Sequence, residues 1–184
     1  MDWEGHYGTT LLVGALWVLG LGLLYGLIAT ALMLVFTHLP DQDQYIPETV
    51  VEHRGPTHSI PFTLAVAFIS ASTIAYPLHV GQQIALDYNV RSATVLTPFT
   101  VWAFLAGAVT VSLVTHIATD ALTKGGRYKV EPLWPVTSRS VAFGFCNYDD
   151  EQWNTGLLAS GATALAAAVI HELYYSILPA IGGF

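Results

Sequence analysis

The chain is short of charge. Lysine, arginine, aspartate and glutamate make up 10% of its 184 residues, against about 25% in an ordinary soluble domain. Too few polar side chains remain to cover a water-facing surface. Cysteine is nearly absent: Cys146 stands alone, which excludes an internal disulfide and any thiolate-rich metal site. Positive charge is scarce as well. Six lysines and arginines face thirteen acids, a formal charge of −7, and this argues against nucleic acid as a partner. The opening residues, MDWEGHY, lack the basic region of a signal peptide, so no cleavage is expected.

What the chain has instead is long apolar runs. They assign it to the polytopic, all-α membrane proteins, as a single domain over residues 1–184. Five apolar segments are expected, forming a transmembrane helical bundle. The first run covers about residues 9–37. As one helix it would reach ~43 Å, well beyond the ~30 Å hydrocarbon core. Gly20, Gly22 and Gly26 cluster at its middle, where a turn would split it into a short hairpin. A single tilted helix packed through Gly22-x-x-x-Gly26 is the competing reading, and the run itself does not choose. A third helix is expected from about His58 to Tyr76, stopping before Pro77. A fourth is expected from about Thr97 to Leu122, with Pro98 in its first turn and Gly125-Gly126 after it. A fifth is expected from about Thr155 to Leu178, before Pro179. Two polar segments, His38–Thr57 and Lys124–Trp153, and a connector over about Leu78–Ala93 with Asp87 and Arg91, are expected to join them.

With a hairpin at the start, the N-terminus and both polar segments share one face. Arg54, Lys124, Arg127, Lys129 and Arg139 then lie there, and Arg91 alone lies opposite. The positive-inside rule makes the crowded face cytoplasmic. A single first helix would move only the extreme N-terminus, so the orientation is the same either way.

Four polar groups gather at that face. They are His6; Asp41 and Asp43 in HLPDQDQ; His53, Arg54 and His58 in EHRGPTHS; and His116 and Asp120 in THIATD. His116 and Asp120 are four apart in a helix and project from one side of it. Ionisable groups on an apolar helix are costly and mark function. Asp41 and Asp43 follow a proline and reach one centre if extended. Gly55-Pro56 bend the chain between His53 and His58, and His58 is expected to open the third helix. Four imidazoles and three carboxylates suit zinc, manganese or iron better than magnesium or calcium. A catalytic zinc takes three protein ligands plus water. Seven candidates therefore mean either two ions, or one ion with orienting and acid–base neighbours. His38, beside the aspartates, is read as a headgroup contact, with a peripheral ligand as the alternative, and His79 and His171–Glu172 as interfacial or packing residues.

These motifs resemble a known family. GHYG at residues 5–8, LPDQD at 39–43, HRGPTHS at 53–59, HIATDALTKGG at 116–126 and LWP at 133–135 are similar to the YdjM-like inner-membrane metal-dependent hydrolases, which carry GH, LPDxD, HRGxTHS and HxxxDxLTxxG in that order. The resemblance implies a metal and catalytic set of His6, Asp41, Asp43, His53, His58, His116 and Asp120. It favours the hairpin, because His6 and Asp41 must then meet. A more remote similarity to zinc-dependent phospholipase C implies a phosphoester substrate, with membrane lipid as the expected partner. Two positions depart from the pattern: Gln44 stands where the family often has histidine, and Lys124 where it has proline.

The expected activity is hydrolysis by water activated on one or two divalent transition ions, zinc foremost. Asp43 or Asp120 would take a proton, and Arg54 would hold a phosphate. The rival readings are a metal transporter or sensor and a purely structural metal clip. Transport sites lie near the bilayer midplane, whereas these ligands gather at one end.

Overall fold

A computed structural model describes residues 1–50, 53–87, 96–125 and 129–177. Glu52, Arg91, Ala93, Gly126, Arg127, Leu178 and Pro179, named above, lie outside the described residues. Among the described residues the protein is all-helical, with no named strand. Those residues form four helices, α1 (Trp3–Phe36), α2 (Ile60–Asp87), α3 (Pro98–Leu122) and α4 (Glu151–Glu172), two short 3-10 turns, Pro40–Tyr45 and Pro56–His58, and a π-helical turn, Leu173–Ile177, that continues α4. Four stretches are long and apolar enough to cross a membrane, the first being Trp3–Tyr45.

That first stretch is a hairpin. Helix α1 breaks at Gly22, whose backbone is left-handed (φ 76°), a conformation open to glycine and costly to other residues. The chain reverses there. A Cβ on Gly26 would lie 2.3 Å from the Cα of Val18, and one on Gly14 would meet the side chain of Thr30. Farther from the turn, the hydroxyls of Thr10 and Thr37 are hydrogen-bonded at 2.8 Å. The arms, residues 3–21 and 23–36, are about 28 and 21 Å long. Of the two readings of residues 9–37, the reversal is the one observed, and it brings both ends of the run to one end of the bundle.

The outgoing arm packs on α4 through glycine. A Cβ on Gly161 would lie 2.1 Å from the Gly8 carbonyl oxygen, and one on Gly8 would strike the backbone of Leu157. In lipid, where apolar surface gains little by leaving its solvent, such close backbone approach carries helix association. The returning arm packs on α3 through Ala29, Met33 and Ala108. Ser112 Oγ donates to the Met33 carbonyl at 2.6 Å. Helix α2 closes the other side of α3 through Ala71, Ala75, Val101 and Leu105.

Three expectations are corrected. Helix α2 does not stop at Tyr76 but continues through Pro77 to Asp87. A proline removes one hydrogen bond, whereas leaving the helix in lipid would strand several backbone groups, so the helix persists. Helix α4 begins at Glu151, ahead of Thr155, because the Asp150 carboxylate caps it by accepting from the Trp153 N–H at 3.2 Å. His58 does not open α2. It closes the Pro56–His58 turn, and Ser59 Oγ accepts from the Phe62 N–H at the helix start.

The polar segments knit together at the site end. Asp2 N–H donates to the Tyr148 carbonyl, Ile60 N–H to that of Pro132, and Lys124 N–H to that of Cys146.

The glycine contacts set a test of this packing. Gly161→Leu should lower stability in detergent by about 1–3 kcal/mol or more, as overpacking does. Gly156→Ala, one turn away with nothing within 4 Å of its added Cβ, should be neutral or slightly stabilising. Thermal unfolding followed by circular dichroism reads both.

Candidate metal centre

Four segments deliver the site. Helix α3 presents His116 and Asp120 on one face, as their spacing requires. The Pro40–Tyr45 turn, entered directly from the returning arm, supplies Asp41 and Asp43. The Pro56–His58 turn supplies His58, and the first turns of α1 supply His6.

Asp41, His58, His116 and Asp120 each offer one ligand atom, and these four atoms lie within 4.8 Å of one another. His58 Nε2 is 3.2 Å from His116 Nε2, 3.4 Å from Asp41 Oδ1 and 3.3 Å from Asp120 Oδ2. His116 Nε2 is 3.4 Å from Asp41 Oδ1 and 3.7 Å from Asp120 Oδ2. Ligands ~2.0–2.1 Å from a tetrahedral ion are separated by ~3.3–3.4 Å. The spacing is thus that of ligands around one ion. The hydrogen bonding agrees: Asp120 Oδ2, which faces this cluster, is buried with no hydrogen-bond partner. An acceptor-only oxygen in such a place calls for a cation. These residues fit a divalent metal ion.

The titration of His58 tells the same story. Burial alone would lower its pKa. The nearby carboxylates of Asp120, Asp41 and Asp43, 3.3, 3.4 and 3.6 Å from its ring nitrogens, outweigh burial and push it from 6.5 up to about 10. The carboxylates draw a positive charge to the centre. In the metal-free protein a proton on the His58 ring supplies it.

The remaining candidates surround this core. Asp43 does not offer an oxygen to the four-atom group. Its Oδ1 pairs with His53 Nδ1 at 2.6 Å, and its Oδ2 accepts from the Arg54 N–H at 3.2 Å and from Thr57 Oγ1 at 2.5 Å. That hydroxyl also lies 3.1 Å from His58 Nδ1. Asp43 and Thr57 thereby hold the far side of the His58 ring and turn its Nε2 to the centre, the arrangement that orients metal-binding imidazoles. His6 stacks on His116 with ring centres 3.8 Å apart, and its Nε2 is 3.3 Å from Asp120 Oδ1. The same oxygen accepts from Arg54 Nη2 at 3.0 Å and from the α-amino group of Met1. Asp120 therefore turns Oδ2 to the centre and Oδ1 to a set of cations.

Arg54 holds a left-handed backbone (φ 64°), a conformation that costs a non-glycine residue roughly 1–2 kcal/mol. Its amide contact to Asp43 and its guanidinium contact to Asp120 offset that cost. Thr57 and the Met1 amine were not anticipated. Thr57 lies inside the HRGPTHS motif, which was the signal available; for Met1 there was none. His38 Nδ1 is 3.7 Å from Asp41 Oδ2, on the outer side. Gln44 is exposed and lines an opening beside Asp41.

Metal binding should release one proton per ion from His58 at neutral pH. Apparent affinity should then rise about tenfold per pH unit below pH 10. The metal-free fold behaves oppositely: its stabilisation by protonated His58 is complete below pH 6.5 and is lost as pH rises toward 10. Calorimetric titration with zinc in buffers of different ionisation heat measures the proton count, and a count of zero would contradict this geometry.

The family model for the YdjM inner membrane protein matches residues 1–182. No curated protein and no solved structure matches the chain. Four apolar stretches long enough to cross a membrane agree with that match, and the chain belongs to the YdjM inner membrane protein family.

Proposed function

We propose that this protein is a membrane-embedded, metal-dependent hydrolase that cleaves phosphoesters of lipids or lipid-linked compounds. Zinc is the resident ion, one per chain, and the site faces the cytoplasm. The observation that carries the reading is the company the four ligands keep. A purely structural clip needs only ligands, whereas here a histidine–carboxylate pair and an arginine stand beside them.

When bound, such an ion supplies Lewis acidity and makes water a nucleophile near neutral pH. His58, His116, Asp41 and Asp120 hold it. Asp43, expected at first to take a proton itself, is engaged by His53, Arg54 and Thr57. The proton acceptor is His53. Its ring is partly open to solvent, it is paired with Asp43 at 2.6 Å, and it lies edge-on to His58 with ring centres 5.7 Å apart. Asp43 fixes the His53 tautomer and stabilises the imidazolium formed when the ring takes a proton from the attacking water. Arg54, braced by Asp120, sets a guanidinium against the phosphoryl oxygens. In the hydrolysis, the water oxygen bonds to phosphorus, the ester P–O bond breaks, and the leaving alcohol receives the proton.

The described basic residues at the site end, Lys124, Lys129 and Arg139, are exposed and draw an anionic substrate toward it. By the positive-inside rule they also support the cytoplasmic orientation.

Metal-loaded protein assayed on phosphodiester, phosphomonoester and carboxylic ester panels should turn over a phosphoester. His53→Ala should lower kcat about 10²–10⁴-fold with the metal content unchanged. Turnover of none of the panels, or a His53→Ala enzyme as fast as the parent, would overturn the proposal.

A further inference from the structure

Beside the metal centre lies an opening of about 400 Å³ whose walls include Trp3, Tyr7, Tyr45, His38 and Asp41. It shares Asp41 with the centre. One oxygen of that carboxylate faces the two imidazoles, and the other faces His38. The aromatic walls meet at corners: Trp3 stands edge-on to Tyr7 at 5.9 Å, and Tyr7 edge-on to His38 at 4.7 Å. Trp3 and Tyr45 are 56% and 77% exposed, large aromatic surface left uncovered at the mouth.

Charge is unevenly divided around this mouth. Residues 1–53 contain no lysine or arginine but six acids, Asp2, Glu4, Asp41, Asp43, Glu48 and Glu52. Among the described residues, fixed positive charge lies on the Met1 amine and Arg54, both against Asp120, and on the exposed Lys124, Lys129 and Arg139. Among the described residues, those around the opening include one carboxylate, Asp41, and no lysine or arginine. Aromatic faces attract cations, and an ammonium or quaternary ammonium between several rings is held by their combined quadrupoles.

We infer that the Trp3–Tyr7–Tyr45 opening is a subsite for an alkylammonium group carried by the substrate, so that the site takes a zwitterionic phosphoester with its phosphate at Arg54 and its ammonium among the rings. The phosphate end rests on the proposed hydrolase chemistry; the ammonium end rests on the opening alone. The same chemistry occurs in a soluble phosphoamine and in a lipid headgroup.

The test is binding, separate from turnover. Zinc-loaded protein in nanodiscs of phosphatidylglycerol should bind phosphocholine more tightly than glycerol 3-phosphate, which lacks the cation. Trp3→Ala with Tyr45→Ala should weaken phosphocholine binding about five- to thirtyfold and leave inorganic phosphate binding unchanged. Both residues are exposed, so the fold should tolerate their loss. Loss of phosphocholine binding when phosphatidylethanolamine or phosphatidylcholine enters the nanodisc would assign the subsite to a lipid headgroup. Undiminished binding would assign it to a soluble phosphoamine. Equal binding of phosphocholine and glycerol 3-phosphate, or a double variant that binds phosphocholine like the parent, would overturn the inference. Discrimination without turnover of any ester would leave the subsite standing and remove the hydrolase.

Discussion

A carboxylate buried among apolar helices has to be matched by positive charge, and Asp120 sets that demand for the whole site. Left unmatched it would cost several kcal/mol. It is met on two sides. Oδ1 is met by the guanidinium of Arg54 and the Met1 amine, with the His6 ring beside it, and Oδ2 faces the imidazoles of His58 and His116. Asp41 adds a second carboxylate across those rings, which leaves the centre short of positive charge unless a proton or a metal ion enters. The left-handed backbone at Arg54, the short turns before and after it and the helical register of α3 all serve this convergence.

The hairpin is what makes the convergence geometrically available. Were residues 3–36 a straight helix, His6 and Asp41 would stand at opposite ends of it, tens of ångströms apart. The reversal at Gly22 folds them to one end, and the glycine contacts of Gly8, Gly26 and Gly161 let the arms and α4 approach backbone to backbone. The lipid-facing surfaces stay apolar and nearly featureless while the chemistry collects at the rim. A ring of exposed aromatics at that end, among them Trp3, Tyr45, Trp134 and Trp153, is the composition expected at the depth of lipid headgroups.

Much of this was written locally in the sequence. Apolar runs of bilayer length carry their own meaning, and the four-residue spacing of His116 and Asp120 fixes a shared helix face whatever surrounds it. The cluster of acids and histidines at segment ends was equally readable. The course of α2 through Pro77 was not, because a proline that ends a helix in water is overruled in lipid by the cost of exposing backbone. Nor was the division of labour among the seven candidates. Whether Asp43 reaches the centre or supports His58 from behind depends on Thr57, His53 and the Arg54 amide meeting it across the turn, contacts made only in three dimensions. The hairpin lay between these cases, since three glycines announce a possible turn and only the packing of Gly26 on Val18 requires it.

The central claim is that Asp41, His58, His116 and Asp120 enclose one transition metal ion. X-ray absorption on detergent-purified, zinc-reconstituted protein, with elemental analysis of the same sample, tests it most directly. The account predicts one zinc per chain in a shell of nitrogen and oxygen at ~2.0–2.1 Å, with the outer scattering of two imidazoles, lost in His116→Ala/Asp120→Ala. A protein that retains no metal after reconstitution, or holds it equally well in that variant, would contradict the account.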